Sequence, residues 1–360
     1  MTQAAALAAY GSNSPSNRNR IINGDMRVSQ RGTSFAGLTN GSSQYTVDRW
    51  RWAESGTFTG VQTVTQDSSA PSGFTTSWKV ETTTAVASLA SNEGCRAEQL
   101  IEGYNITDLA WGTADAKSIA LSFWVRSSLT GTFGGGISNS DRDRSYPFTY
   151  SISAANTWEY KTIVVPGDTT GTWLTDSGVG MRVRFGLGVG STLSGAAGAW
   201  AAADYQSATG AVSVIGTSGA TFYITGVQLE AGSVATPFEH RQYGQELVLC
   251  QRYYTKTYPV DVAPGTNTGT SIAIGRSTDA ASSYTTIAQW AYPVTMRATP
   301  SISLFNPVTG TVNSFRGDAS NHSPSQTIFT STCAVTASAG GVSIGTSTYV
   351  STHIVASAEL

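Results

Sequence analysis

The 360-residue chain predicts an all-β fold built around an antiparallel sandwich, and three observations carry that expectation. Only 12% of residues are charged, about half the usual share, so the Glu, Lys and Arg that solvate helix surfaces are scarce. Ser, Thr, Gly and Ala take their place beside 15 Tyr, 12 Phe and 9 Trp, a mixture that fits pleated sheets with solvated outer faces. Apolar residues recur with period two over several stretches, the signature of half-buried strands.

Taken in order, the chain opens with a small, polar segment, Met1 to Asn19, broken by the cluster Gly11 to Ser16. Its Ala4 to Ala9 patch is too short to hold a helix alone, so both a docking arm and a frayed terminus fit. From Ile21 the strand signals begin. Ser118 to Ser127 alternates with Ile119, Leu121, Phe123 and Val125 on one face, and Trp158 to Pro166 is a second strand closed by Pro166-Gly167-Asp168. Met181, Val183, Phe185 and Leu187 repeat the alternation, while Phe222 to Glu230 slips register at Gly226, which predicts a β-bulge. Strands with few helix-period segments between them read as a sandwich.

Gln242 to Lys256 is the exception. Tyr243, Leu247, Cys250 and Tyr254 recur there at spacings of four, three and four, an apolar stripe of about two heptads. It predicts a linker helix, and a subunit interface if the stripe faces a three-fold axis; a covering domain is the competing possibility. Beyond Pro259, Trp290 to Val294 and Ser301 to Phe305 read as strands of a smaller second β-sandwich. The division expected is an arm at 1–19, a sandwich at 20–238, a linker helix at 239–258 and a β-rich tip at 259–360.

Charge and chemistry exclude several functions. A net charge of −2 provides no basic field for nucleic acid or an anionic membrane, and no apolar run is long enough to span a bilayer. Lys79, Lys117, Lys161 and Lys256 are the only lysines among 21 basic residues, which leaves 17 arginines. Arginine suits planar hydrogen bonding and stacking, although genomic base bias explains the preference equally well. Cys95, Cys250 and Cys333 are sparse, odd in number and without metal-ligand spacing, which predicts no disulfide framework. The start carries no visible signal peptide, so synthesis and folding in a reducing cytoplasm are expected.

Three His leave little material for His-based catalysis, and neither a Gly-x-Ser-x-Gly elbow nor a His-Glu-x-x-His motif occurs. Gly112 to Ser118 imitates a phosphate loop but lacks the Gly before Lys and runs into a strand. Gly186 to Gly190 reads as a packing or bend feature. The compact acidic pair Asp141 and Asp143 lies beside Arg142 and Arg144; such neighbours lower a carboxylate pKa, the opposite of what a general acid needs. No cofactor is expected.

Several stretches carry a resemblance. Asn19-Arg20-Ile21-Ile22-Asn23-Gly24-Asp25-Met26, Tyr45 to Trp50, Ile101 to Asn105, Leu121 to Ser127, Ile224 to Gly232, Thr236-Pro237-Phe238-Glu239 and Cys250 to Tyr254 fall in the order seen in bacteriophage tail-fibre and receptor-binding proteins. Pro293 to Pro300 resembles a recurrent element of fibre tips. The first domain is also similar to jelly-roll carbohydrate-binding modules, which often begin on an Asn-Gly-Asp strand and end on one like Val227 to Glu230. The resemblance implies a non-enzymatic virion protein, usually a homotrimer, that attaches to a bacterial surface glycan or protein, with the arm docked on other virion proteins. A head, collar or baseplate decoration and a glycan depolymerase are the alternatives. It also implies a structural calcium near the chain ends, where Asp25 and Glu230 correspond; two carboxylates are far fewer than the six to eight oxygens calcium takes, and ordinary surface acids fit as well.

The alternation that sends Phe123 and Val125 inward sends Trp124 and Arg126 outward, and the same logic turns Arg182 and Arg184 outward. If these two strands share a sheet, one aromatic plane and three guanidiniums line its outer face, a surface suited to sugar. A covered Trp124 with acid-paired arginines is the competing expectation.

Overall fold

The computed structural model describes residues 18–276, 284–317, 320–323, 326–339 and 349–360. The docking arm expected at the start lies outside these except for Arg18 and Asn19. In chain order the first strands are β1 (Ser34–Leu38), β2 (Gln44–Tyr45), β3 (Arg51–Ser55), β4 (Val61–Asp67), β5 (Ser77–Thr84), β6 (Gly94–Glu102) and β7 (Ile119–Ser127). They continue with β8 (Gly131–Ser138), β9 (Ser145–Ile152), β10 (Glu159–Val165), β11 (Val179–Val189), the short pair β12 (Ser194–Gly195) and β13 (Ser207–Ala208), and β14 (Thr221–Ala231).

Sheet A has the order β1-β4-β5-β14-β7-β10 and sheet B the order β2-β3-β6-β11-β8-β9, with every neighbouring pair antiparallel. The chain crosses repeatedly from one sheet to the other: this is an all-β sandwich of jelly-roll type. Such crossings place aromatic side chains from both layers in one core. Phe123 of sheet A meets Phe185 of sheet B with ring centroids 4.9 Å apart, and Tyr150 at 5.0 Å. Trp50, Trp52 and Trp78 are wholly buried in the same cluster. The alternation read from sequence holds here: Ile119, Leu121, Phe123, Val125, Met181, Val183, Phe185 and Leu187 are all inaccessible to solvent. The expected bulge is present as well. The register between β14 and β7 shifts between Thr225 and Gln228, and Gly226 adopts φ +60°, a left-handed conformation that costs a side-chain-bearing residue about 1–2 kcal/mol.

The linker differs from expectation. Helix α1 runs Tyr243–Gln251, opened by the Gln242 backbone N–H donating to the Gln245 side chain, and Tyr254 already belongs to strand β15 (Tyr254–Lys256). The stripe Tyr243, Leu247, Cys250, Tyr254 is therefore not one helical face. Cys250 is buried against Ile22, Val28 and Tyr253, with Leu247 packed beside them, and Tyr254 is buried against Tyr258 and Val355. Segments of the same chain cover Cys250 and Tyr254, and of the four residues only Tyr243 is substantially exposed.

The second, smaller β region forms around strand Tyr349–Ser357, which pairs with β15, with Ala273–Arg276, with Ser301–Phe305 and with Phe315–Gly317; Tyr284–Ala291, Cys333–Ala339 and Gln326–Phe329 form a separate three-stranded sheet. Ser301 to Phe305 is a strand as expected, whereas Tyr292 to Val294 lies beyond the end of one. Ion pairs tie this region to the sandwich. Glu359 meets Arg31 at 2.8 Å and also Arg49, while Glu102 accepts from Arg252 and from the Tyr253 hydroxyl at 2.7 Å. Asn19, the last residue of the expected arm, is buried; its side chain accepts from the Leu229 backbone and donates to the Val227 carbonyl.

Candidate functional site

The outer face of sheet A carries an aromatic groove. On that sheet Trp124 of β7 lies in register with Tyr160 of β10 and with Thr225 of β14. Residues directly opposite one another share a face, so the two rings meet above the sheet, 5.4 Å apart and inclined at 52°. Gly226 makes the next contact possible: a Cβ there would lie 2.7 Å from the Phe74 ring and 3.1 Å from Trp124. The bulge thus admits Phe74, from the loop before β5, onto the same surface.

Beyond β14 the chain turns back and adds Phe238 and His240. Phe74, Phe238 and His240 contact one another with centroids 5.1, 5.3 and 4.9 Å apart. Together with Trp124, Tyr160 and Pro237 they line an open groove of about 600 Å³. Its apolar walls are in reach of solvent: Tyr160 is 46% exposed, His240 is exposed and Trp124 half-buried. Aromatic planes held open in this way can stack on the apolar face of a ligand. One row along, Arg126 stacks over Tyr223 at 4.8 Å and donates to the Ser69 hydroxyl at 2.7 Å.

Sequence alternation placed Trp124 and Arg126 on an outer face, but the surface it assembled with Arg182 and Arg184 does not exist. Strand β11 belongs to sheet B, so the two arginines point away from the opposite side of the molecule. Arg184 is wholly buried between Asp204, at 2.6 Å, and Glu98, at 3.5 Å. The expected ligand contact is an internal ion pair. Alternation is a local property, whereas sheet membership is decided by partners distant in sequence, as Glu98 and Arg184 illustrate. Phe74, Tyr160, Phe238 and His240 were not foreseen as site residues. Thr236-Pro237-Phe238-Glu239 was legible as a motif without a role, and Tyr160 as the alternating residue of its strand.

The remaining candidates resolve into structural groups. Asp25 pairs with Arg27, while Glu230 accepts from Gln228 and from the backbone and hydroxyl of Thr236; each carboxylate has its own protein partners. Among the described residues no three His, Cys, Asp or Glu side chains gather at one place. In the turn Asp141 to Arg144 both arginines reach acids outside it: Arg144 forms a two-pronged pair with Asp168 at 2.6 and 2.9 Å, and Arg142 approaches Asp204 at 3.9 Å. Cys95 and Cys250 are free and buried, and burial pushes both thiols up out of the reactive range.

No family model matches the chain, and no curated protein does. Solved structures are similar at low identity. An enzymatically active domain of the tailspike protein 4 of bacteriophage CBA120 is 13% identical over 61% of this chain and 22% of that one, with a TM-score of 0.31. A putative sugar-binding protein from Bacteroides thetaiotaomicron is 11% identical over 59% of this chain and 99% of that one, at 0.34. A family 11 carbohydrate-binding module from Clostridium thermocellum, solved with a mixed-linked tetrasaccharide, is 13% identical over 58% and 99%, at 0.26. The chain thus spans about a fifth of the tailspike and nearly all of the two binding proteins. Its own sheet topology defines the fold.

Proposed function

We propose that this chain is a non-enzymatic attachment protein of a bacteriophage virion, and that the groove beside Trp124 holds a glycan of the bacterial surface. The observation that carries this reading is the open set of aromatic planes: Trp124 and Tyr160 from the sheet, Phe74, Phe238 and His240 from its flanks. A pyranose stacks its C–H face on such a ring, and half-exposed rings lose little hydration in the free protein, so the stacking is realised on binding. The tail-fibre resemblance of residues 19 to 255 supplies the setting, a fibre or tail component. The trimer implied by that resemblance would need a surface other than the buried stripe at Cys250 and Tyr254.

The test uses the purified chain and host cells. Trp124→Ala with Tyr160→Ala should weaken cell attachment by at least about tenfold, while the melting temperature falls by only a few degrees. Unchanged attachment would refute the groove. Release of reducing sugar from host polysaccharide would instead identify a depolymerase, and binding to virions without binding to cells would identify a decoration protein.

A further inference from the structure

The outer face of sheet B holds more positive charge than its own carboxylates neutralise. Arg51 and Arg96 lie on β3 and β6, Arg182 and Arg184 on β11, and Arg142 on the loop between β8 and β9. Arg51, Arg96, Arg142 and Arg184 share two carboxylates, Glu98 and Asp204, and Arg182 pairs with neither, which leaves three positive charges over within this set. Register explains the crowding. Arg51, Glu98 and Arg184 form one cross-strand row, and Arg182 stands two residues further along the same face of β11.

Glu98 is shared. It lies 3.1 Å from Arg96 and 3.5 Å from both Arg51 and Arg184. Burial alone would raise its pKa, yet the combined field of Arg96, Arg184, Arg51 and Arg182 holds it at about 2. The arginines fare worse, because four of them share these two carboxylates and Arg182 pairs with neither. Burial and then Arg96 pull Arg184 down to about 10, and Arg182 is lowered by burial with Arg142, Arg96 and Arg51 adding to the effect. Arg182 has no carboxylate partner among the described residues; its one hydrogen bond goes to the Ser140 carbonyl at 3.3 Å. Its Nε, and Nη2 of the fully buried Arg184, are shielded from solvent without a hydrogen-bond partner. Buried donors are rarely left so, and taking an uncompensated ion out of water costs several kcal/mol.

We propose that this face binds an oxyanion, a carboxylate or phosphate, held by the partly accessible forks of Arg142, Arg182 and Arg51; that a saccharide carries it rests on the glycan-binding reading above. The forks of arginine match carboxylate and phosphate oxygens in pairs, and the anion supplies the charge that Glu98 and Asp204 do not. A long polyanion such as nucleic acid is disfavoured by the net charge of −2. A single charged sugar unit needs only this local cluster. The site lies on the sheet opposite the aromatic groove and does not depend on it.

Calorimetry of the full chain at low salt tests the proposal with three probes: trigalacturonate, glucose 6-phosphate and neutral maltotriose. At least one anionic probe should bind in the sub-millimolar to millimolar range and maltotriose should not; which anion wins tells carboxylate from phosphate. Arg142→Gln with Arg182→Gln should weaken that binding by about tenfold or more. The same substitutions should hold or raise the melting temperature without ligand, since they remove repulsion; a purely structural role would lower it. Trp124→Ala should leave anion binding intact, which separates this site from the groove. Absence of anion binding to the wild type, or equal binding by the double variant, would overturn the proposal.

Discussion

The two outer faces of the sandwich are built by the same period-two alternation and end as opposite surfaces. On sheet A the outward positions carry Trp124 and Tyr160, which keep part of their area in solvent. On sheet B they carry Arg51, Glu98, Arg184 and Arg182, and the segment from β12 to β13 folds back over the sheet. That cover is possible because outward positions of β8 and β11 are glycine. A Cβ at Gly134 or Gly186 would strike the Ser207 side chain, and one at Gly136 would lie 2.9 Å from the Tyr205 carbonyl. Asp204 and Gln206 of the same segment then reach Arg184 and Arg96. An uncovered aromatic row is inexpensive to hold open, whereas a covered charged row is tightly coupled and sensitive to the loss of its shared carboxylate. One face is therefore suited to reversible stacking and the other to a specific charge.

The contrast can be broken most forcefully at Glu98. Glu98→Gln leaves three neighbouring guanidiniums without their shared carboxylate and should destabilise the fold by about 3–5 kcal/mol, read as a lower urea midpoint at an unchanged slope. Acid should act through the same group. Because Glu98 is held at about 2 in the folded chain, its contribution is fully present above the ordinary carboxylate range. It is lost as pH falls from there towards 2, by on the order of 3 kcal/mol. Asp204 is lowered as well despite its burial, by Arg184 first, and adds in the same direction. Stability measured between pH 6 and pH 2 should decline steeply in the wild type and more shallowly in Glu98→Gln.

Effects on the aromatic face should be smaller in stability and larger in binding. Gly226→Ala forces a side chain into a left-handed residue and against Phe74, with an expected cost of about 1–2 kcal/mol and a displaced groove wall. Tyr160→Ala removes a ring that is 46% exposed and should change stability by no more than about 0.5 kcal/mol, while glycan affinity falls. A loss of several kcal/mol from Tyr160→Ala would mean that the ring is part of the fold's framework, and the contrast between the faces would disappear.

Much of each face was legible from sequence and the assembly was not. Period two identified the inward set on β7 and β11 residue by residue, and the slip at Gly226 identified the bulge, because both are local consequences of backbone geometry. Which sheet a strand joins depends on contacts far apart in the chain, so Arg182 and Arg184 were placed beside Trp124 when they stand on the other side of the core. The same distance hid Phe74 and Phe238, which come to Trp124 from loops. The stripe from Tyr243 to Tyr254 failed for a different reason. Heptad spacing records which residues are buried but not by what, and here residues 21–28 and the chain's own C-terminal strand do the covering.

Stacking of sugar at Trp124 can be followed through the nine indole N–H resonances during titration with an oligosaccharide of the host surface. The Trp124 signal should move with saturation, while those of the wholly buried Trp50, Trp52 and Trp78 stay in place. Saturable binding with an unmoved Trp124 signal would contradict it.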